Sequence, residues 1–141
     1  MKFETDFDAL CRDLSALTEG VPYVIANLAN TAALLWERMG GLNWAGFYML
    51  TDGALVLGPF QGKTACIRIP LGRGVCGTAA EQGRTQLVEN VHDFPGHIAC
   101  DSASNSEIVI PLHNTAGDSV AVLDIDSPHF ARFTGADRKG L

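Results

Sequence analysis

The sequence predicts one α+β domain in which two N-terminal helices pack on one face of a mixed, mostly antiparallel central sheet. The chain has 141 residues, which is the usual size of a single domain. Apolar side chains recur every three or four residues up to position 39, as in a helix. Beyond that point they come in short runs separated by glycine-containing turns, which is typical of strands. We therefore treat 1–141 as one domain.

Two helices are predicted first. The segment 2–17 has one apolar stripe of an amphipathic helix, formed by Phe3, Phe7, Leu10, Leu14 and Leu17. Cys11 adjoins this stripe, and we interpret it as a small apolar side chain at the packing surface. A second helix is predicted from Pro22 to Met39, because proline is tolerated in a first turn and the following Gly40–Gly41 pair would end the helix.

A sheet is predicted after Gly41. Residues 43–50, NWAGFYML, are aromatic-rich and predict a strand, and Thr51-Asp52-Gly53 predicts the turn of a hairpin whose second strand covers 54–57. Residues 89–105 have no clear period and predict a long loop, of the kind that is usually functional. A short helix is predicted to begin near Val75, and further strands are predicted at 65–70, 85–88, 107–112 and 119–126.

Composition narrows the class of protein. Hydrophobic residues make up 47% and charged residues 18% of the chain, which argues against disorder. The net charge of −6 argues against nucleic-acid binding, which needs clustered Lys and Arg. No apolar run approaches the roughly 20 residues that span a bilayer, and the acidic start MKFETDFDAL is unlike a signal peptide. We expect a cytoplasmic protein that binds neither nucleic acid nor membrane.

The four cysteines call for a chemical interpretation. In a reducing compartment they serve catalysis, metal binding or packing rather than a disulfide framework. No pair has the spacing of a structural zinc site, so we expect no metal. Cys76 lies among glycines at a predicted helix N-terminus, which lowers a thiol pKa, and local physics makes it the most acidic thiol. Cys66, in an apolar strand, is interpreted as inert, whereas Cys100 lies in a polar loop that does not suit a packed thiol.

Alternation along the first predicted strand places Trp44, Gly46 and Tyr48 on one face. Two aromatic rings that flank a glycine predict a notch over bare backbone, which suits a small ligand with a methyl or cationic group. The alternative is that Trp44 and Tyr48 only pack beneath a loop.

The last predicted strand has carboxylates on one face. Asp124 and Asp126 follow Val122 at alternate positions, and acids this close should line a wet or ligand-filled site. Crowding can also keep one carboxyl protonated, as a general acid. Glu107 opens the neighbouring strand and adds a third carboxylate. The alternative is a strand end with solvated acids and an exposed Glu107.

Cys76, Cys100 and the three carboxylates lie in sequence blocks that resemble those of the free methionine-(R)-sulfoxide reductases. These are enzymes with a GAF fold that act on the free amino acid. The blocks are RGVCGTAA, GHIACDSASNSE and LDIDSP, within a similarity that runs from Asn43 to Pro128. Three cysteines also stand at the spacings of that family. The resemblance implies a single GAF-like domain and a reductase that repairs oxidised methionine.

The resemblance also implies roles for individual residues. Cys100 corresponds to the nucleophile and Cys66 to the cysteine that resolves it through a disulfide. Cys76 corresponds to a third redox cysteine, which serves either recycling or an alternative disulfide. The family's three carboxylates, which hold the substrate's ammonium and serve its sulfoxide oxygen, correspond to Glu107, Asp124 and Asp126. The aromatic walls of its methyl pocket correspond to Trp44 and Tyr48.

Further expectations follow from the family. Thioredoxin is the expected reductant, and neither a metal nor an organic cofactor is required. GAF domains commonly pair through their terminal helices, so we expect a homodimer. The final segment FTGADRKGL predicts a C-terminal helix that is cut short at Leu141.

Two other functions would use the same residues. The first is a non-catalytic GAF sensor, which is disfavoured because no output domain is found in 141 residues. The second is a Cys/His metal-binding module, which is disfavoured by the spacing of the ligands.

Overall fold

The chain begins with two helices, α1 (Phe7–Thr18) and α2 (Val24–Arg38), in a computed structural model that describes residues 3–97 and 102–141. The side chain of Asp6 accepts a hydrogen bond from the Ala9 amide at 3.0 Å, so α1 begins later than predicted. Pro22 precedes α2 rather than lying in its first turn. No helix in the described part of the chain is long and apolar enough to cross a membrane.

Six strands form one sheet in the described part of the chain: β1 (Trp44–Thr51), β2 (Ala54–Gly62), β3 (Arg68–Pro70), β4 (Gln86–Val88), β5 (Ser106–His113) and β6 (Ser119–Ser127). Their order is β3-β2-β1-β6-β5-β4, and every neighbouring pair is antiparallel. The hairpin strand β2 is longer than predicted, and β3 is shorter. Helix α3 (Gly74–Gln82) follows β3, a short 3₁₀ helix (Val91–Asp93) interrupts the predicted loop, and α4 (Gly135–Gly140) follows the sheet.

The two faces of the sheet carry separate cores. Helices α1 and α2 cover the face that presents Phe47, Ile108 and Ile125, as predicted for the N-terminal helices. Helix α3 covers the opposite face, which the sequence analysis left without a helix; the core there includes Tyr48, Val75, Ala79, Val109 and Val122. The α+β class is confirmed. Cys11 is exposed, so its interpretation as a packing residue is wrong.

Strand register brings the predicted site residues together. Across three neighbouring strands, Trp44 lies opposite Asp126, which in turn lies opposite Glu107. Gly46 lies opposite Asp124 in the next row on the same face. Since alternate residues of a strand share a face, all these positions face α3.

Candidate active site

A cavity of about 40 Å³ lies between the face of the sheet that α3 covers and the N-terminal turn of that helix. Six residues predicted from the sequence line it together: Trp44, Tyr48, Cys76, Glu107, Asp124 and Asp126. The other described lining residues are Thr64, Ala65, Ile69, Arg73, Gly74, Val75, His97 and Ser104. Cys100 falls outside the described residues, so its predicted place in this pocket is not tested.

The carboxylates are buried rather than solvated. Glu107 is 7% exposed and Asp124 is 5% exposed, and Asp126 is half-buried. In the described part of the chain neither Glu107 nor Asp124 forms a salt bridge. Burial, together with the charges of Asp124 and Asp126, raises the pKa of Glu107 well above its usual value. The alternative of a solvated strand end is therefore wrong, and the raised pKa favours the protonated form of Glu107.

This proton gives the folding stability a measurable pH dependence. Between the ordinary pKa of a glutamate, 4.5, and the higher pKa of folded Glu107, the unfolded chain releases the proton first. The contribution of Glu107 to the free energy of unfolding is therefore fully present below pH 4.5, and it falls as pH rises by at most about 1.4 kcal/mol per pH unit. In urea unfolding across this range, we expect the free energy of unfolding of Glu107→Gln to increase relative to that of the wild type as pH rises. Glu89→Gln, at an exposed glutamate, should show the same pH dependence as the wild type.

Cys76 lies in the first turn of α3 as predicted, but its thiol is not acidic. The residue is 5% exposed, and its Sγ donates a long hydrogen bond to Glu107 Oε2 at 3.9 Å. Burial and the charges of Asp124 and Glu107 raise the pKa of Cys76 well above its usual value. The expectation that Cys76 is the most acidic thiol is wrong, because burial and the carboxylates that face the thiol outweigh the helix N-terminus.

Alkylation should reveal this difference. Because only the thiolate reacts, we expect iodoacetamide at neutral pH to modify exposed Cys11 at least about tenfold faster than buried Cys76. Peptide mass spectrometry of the oxidised protein over time measures both rates. Equal rates would contradict the raised pKa and the burial of Cys76.

The aromatic residues form one stacked wall instead of two walls of a notch. The rings of Trp44 and Tyr48 have centroids 5.8 Å apart and stack at 25°, and Phe60 stacks on Trp44 at 5.1 Å. A Cβ atom at Gly46 would collide with Phe60, coming within 2.7 Å of its Cα. The predicted notch over Gly46 is therefore wrong: this glycine allows β2 to approach closely, and the sequence analysis missed Phe60.

The aromatic wall fixes the segment that contains Cys66. The Tyr48 hydroxyl donates to the Cys66 carbonyl oxygen at 2.8 Å, and Trp44 Nε1 donates to the Lys63 carbonyl oxygen at 3.1 Å. Burial and nearby acids raise the pKa of Tyr48 far above its usual value, so its hydroxyl remains a donor. Cys66 is disulfide-bonded, so the interpretation of Cys66 as inert is wrong, whereas Cys11 and Cys76 are free thiols.

His97 is a pocket residue that sequence reasoning missed. Its ring lies 6.3 Å from that of His92, and Nε2 of His92 pairs with Asn105 Oδ1 at 2.9 Å. Burial and the charge of His92 lower the pKa of His97, against the opposing influence of Asp124, which favours the neutral form of the ring. Its place in the GHIACDSASNSE block was the one signal that pointed to it.

A six-stranded antiparallel sheet with helices on both faces and a pocket beneath α3 defines the class of protein as a GAF domain. The family profile for the GAF domain matches residues 16–141. This confirms the GAF-like fold that the resemblance implied.

Individual relatives define the family more closely. Free methionine-R-sulfoxide reductase of Escherichia coli (strain K12) is 59% identical over 139 residues, covering 98% of this chain and 84% of the relative. The structure of the fRMsr of Staphylococcus aureus in its reduced form matches with a TM-score of 0.95 at 45% identity, over 99% of this chain and 91% of the other.

A third match is the free methionine-R-sulfoxide reductase from Neisseria meningitidis in complex with its substrate. It has a TM-score of 0.91 at 45% identity, over 95% of this chain and 80% of the other. The chain belongs to the free methionine-R-sulfoxide reductase family. The resemblance found in the sequence is confirmed.

Proposed function

We propose that this protein reduces free L-methionine (R)-sulfoxide to methionine. The observation that carries the proposal is the convergence of three carboxylates and two stacked aromatic rings on one pocket in a chain of this family. Glu107 and Asp124 are buried and form no salt bridge with the described residues, and such carboxylates suit the ammonium of a free amino acid. A residue within a peptide lacks that ammonium, which gives a physical reason for selecting the free substrate.

Glu107 is the proposed proton donor. A sulfoxide sulfur becomes electrophilic when its oxygen is protonated or strongly hydrogen-bonded, so thiol attack needs a nearby acid. Glu107 is the pocket carboxyl whose raised pKa favours the protonated form. We assign the substrate's ammonium to Asp124 and Asp126, and its methyl group to Trp44 and Tyr48.

Cys100 is the proposed nucleophile, from its place in the GHIACDSASNSE block. Its sulfur bonds to the sulfoxide sulfur while Glu107 protonates the sulfoxide oxygen. The resulting hydroxyl then moves to the cysteine sulfur, and both the transient S–S bond and the original S–O bond break. Methionine leaves as the reduced product, and the cysteine is oxidised by two electrons to a sulfenic acid. Glu107 recovers a proton as the thiol loses its own.

Cys66 is the proposed resolving residue. Its thiol condenses with the sulfenic acid to form a disulfide and release water. The disulfide state of Cys66, with Cys11 and Cys76 both free, supports its pairing with Cys100. The hydrogen bond from Tyr48 to the Cys66 carbonyl oxygen holds the proposed resolving residue next to the aromatic wall.

Recycling completes the proposal. Thioredoxin, whose potential is about −270 mV, reduces the disulfide by thiol exchange, and neither a metal nor an organic cofactor takes part. The thioredoxin system would place the enzyme in the cytoplasm. We further propose a homodimer that forms through the terminal helices, which size-exclusion chromatography with light scattering tests.

Replacing Cys66 separates the two halves of the cycle. We expect Cys66→Ser to release methionine in the first turnover at a normal rate but to lose at least about 90% of its thioredoxin-driven rate, because the sulfenic acid no longer finds its partner. Quenched-flow and steady-state assays measure the two rates. Full cycling by the variant would make Cys76 the resolving cysteine instead.

Substrate selection tests the function itself. NADPH consumption with thioredoxin and its reductase is followed for the separated R and S epimers of free methionine sulfoxide and for an R-sulfoxide peptide. We expect turnover of the free R epimer alone. The absence of turnover by folded, reduced protein would contradict the proposal and favour the GAF sensor.

A further inference from the structure

The floor of the pocket holds a thiol and carboxylates in the arrangement of a small metal site. Cys76 Sγ and one carboxylate oxygen each from Glu107 and Asp124 all lie within 4.8 Å of one another, and all three residues are buried. They come from three different elements, α3, β5 and β6. Their positions are therefore fixed by the packing of the helix on the sheet and not by one loop.

One oxygen in this cluster has no partner. Asp124 Oδ1 is buried and accepts no hydrogen bond from the described residues, although Asp124 lines the cavity and is only 5% exposed. A buried carboxylate oxygen without a donor is costly. It therefore calls for a cationic ligand in the cavity.

We propose that Cys76, Glu107 and Asp124 form a binding site for a thiophilic divalent cation, represented by Zn²⁺. Zinc accepts sulfur and carboxylate oxygen together at bond lengths of about 2.0–2.3 Å, which places tetrahedral ligand atoms about 3.3–3.8 Å apart. The separation of 3.9 Å between Cys76 Sγ and Glu107 Oε2 lies just above this range. The three ligand atoms, all within 4.8 Å of one another, reach it by moving closer by at most about 1.5 Å. Mg²⁺ and Ca²⁺, which prefer all-oxygen sites, do not suit the thiol.

The site shares Asp124 with the carboxylates that the proposed function assigns to the substrate's ammonium, and it includes Glu107, the proposed proton donor; this consequence rests on that function. A cation held by Glu107 and Asp124 competes with the ammonium at Asp124 and withdraws the proton donor. Zn²⁺ should therefore inhibit reduction competitively with methionine sulfoxide. The metal is an inhibitor in this account, and the reaction proceeds without it.

Two matched variants, each with a single thiol, test the binding without reference to activity. Replacing Cys11, Cys66 and Cys100 by Ser leaves only Cys76, and replacing Cys66, Cys76 and Cys100 by Ser leaves only Cys11. We expect Co²⁺ to give a sulfur-to-cobalt charge-transfer band with the first variant alone, and Zn²⁺ to abolish that band. Adding Glu107→Gln to it should weaken Co²⁺ binding at least about tenfold, whereas Glu89→Gln should leave binding unchanged.

Circular dichroism tests whether both variants fold. If either does not, the two single-thiol variants are replaced by the full reduced chain with one change, either Cys76→Ser or Cys11→Ser, and Zn²⁺ binding is measured by calorimetric titration. Only Cys76→Ser should lower the affinity for Zn²⁺. No band with folded Cys76-only protein, or equal bands in both variants, would overturn the site.

The variants also separate this inference from the proposed function. Both lack the proposed nucleophile, so methionine sulfoxide remains intact and should compete with Co²⁺. If Co²⁺ affinity were unchanged by saturating sulfoxide, the overlap would be wrong. Turnover of the wild type in excess chelator tests the proposed function independently, since it should persist whether or not the metal site exists.

Discussion

Replacing Cys100 by Ser should abolish methionine release even in a single turnover, with a loss of at least about 10³-fold. Serine preserves the size of the side chain, but its hydroxyl is a far weaker nucleophile than a thiol at neutral pH. The measurement is methionine released by pre-reduced protein after rapid mixing with free methionine (R)-sulfoxide. Omitting thioredoxin confines the readout to the first chemical step.

Cys11→Ser is the matched control, because Cys11 is an exposed free thiol on α1 outside the pocket. It should release methionine at the wild-type rate. If Cys100→Ser kept a rate within tenfold of the wild type, Cys100 would not be the nucleophile. The search would then turn to Cys66, whose segment the aromatic wall holds.

Replacing Glu107 by Gln should lower kcat by about 10²–10⁴-fold, the usual contribution of a general acid. The amide still donates a hydrogen bond and fills nearly the same volume, but it does not transfer a proton. In the wild type, kcat should fall as pH rises through the raised pKa of Glu107, because the acid must be protonated to act. The variant should lose this limb of the pH profile.

Glu89→Gln makes the same chemical change at an exposed position and should leave both kcat and its pH profile unchanged. The KM of the Glu107→Gln variant should change less than its kcat, since the proposed function assigns the substrate's ammonium to Asp124 and Asp126. A variant that kept the wild-type kcat would exclude Glu107 as the proton donor and direct the search to the two aspartates.

Local periodicity was enough to predict most of the fold. Alternation correctly placed Trp44 and Tyr48 on one face of the strand, and Phe47 lies in the core on the other face, because a strand has only two faces. The predictions were wrong where a shift of one position along a helix decides whether a side chain is buried or exposed. Cys11 lies next to an apolar stripe, and a helix places such a neighbour either at the packing surface or, as here, in solvent.

The chemistry of the site was less predictable, because it depends on what faces each residue across the sheet. The helix N-terminus around Cys76 is visible in the sequence. The burial of the thiol, and the charges of Asp124 and Glu107 from distant strands, are not visible there, and they raise the pKa of Cys76. Similarly, the glycine at 46 predicted a notch, whereas the register of β2 places Phe60 against it. The burial of Glu107 could not be predicted either, because it depends on α3 covering the face of the sheet on which Glu107 lies.

The most direct test of reduction of free methionine (R)-sulfoxide is a single-turnover experiment on pre-reduced protein without thioredoxin. One sample receives a mixture of the R and S epimers of free methionine sulfoxide, and another receives a peptide that contains both sulfoxide epimers. Chiral chromatography then measures methionine and both remaining epimers. The account predicts stoichiometric methionine that comes from the free R epimer alone, with the S epimer and the peptide untouched. Methionine formed from the S epimer, reduction of the peptide, or no product from folded and fully reduced protein would contradict it.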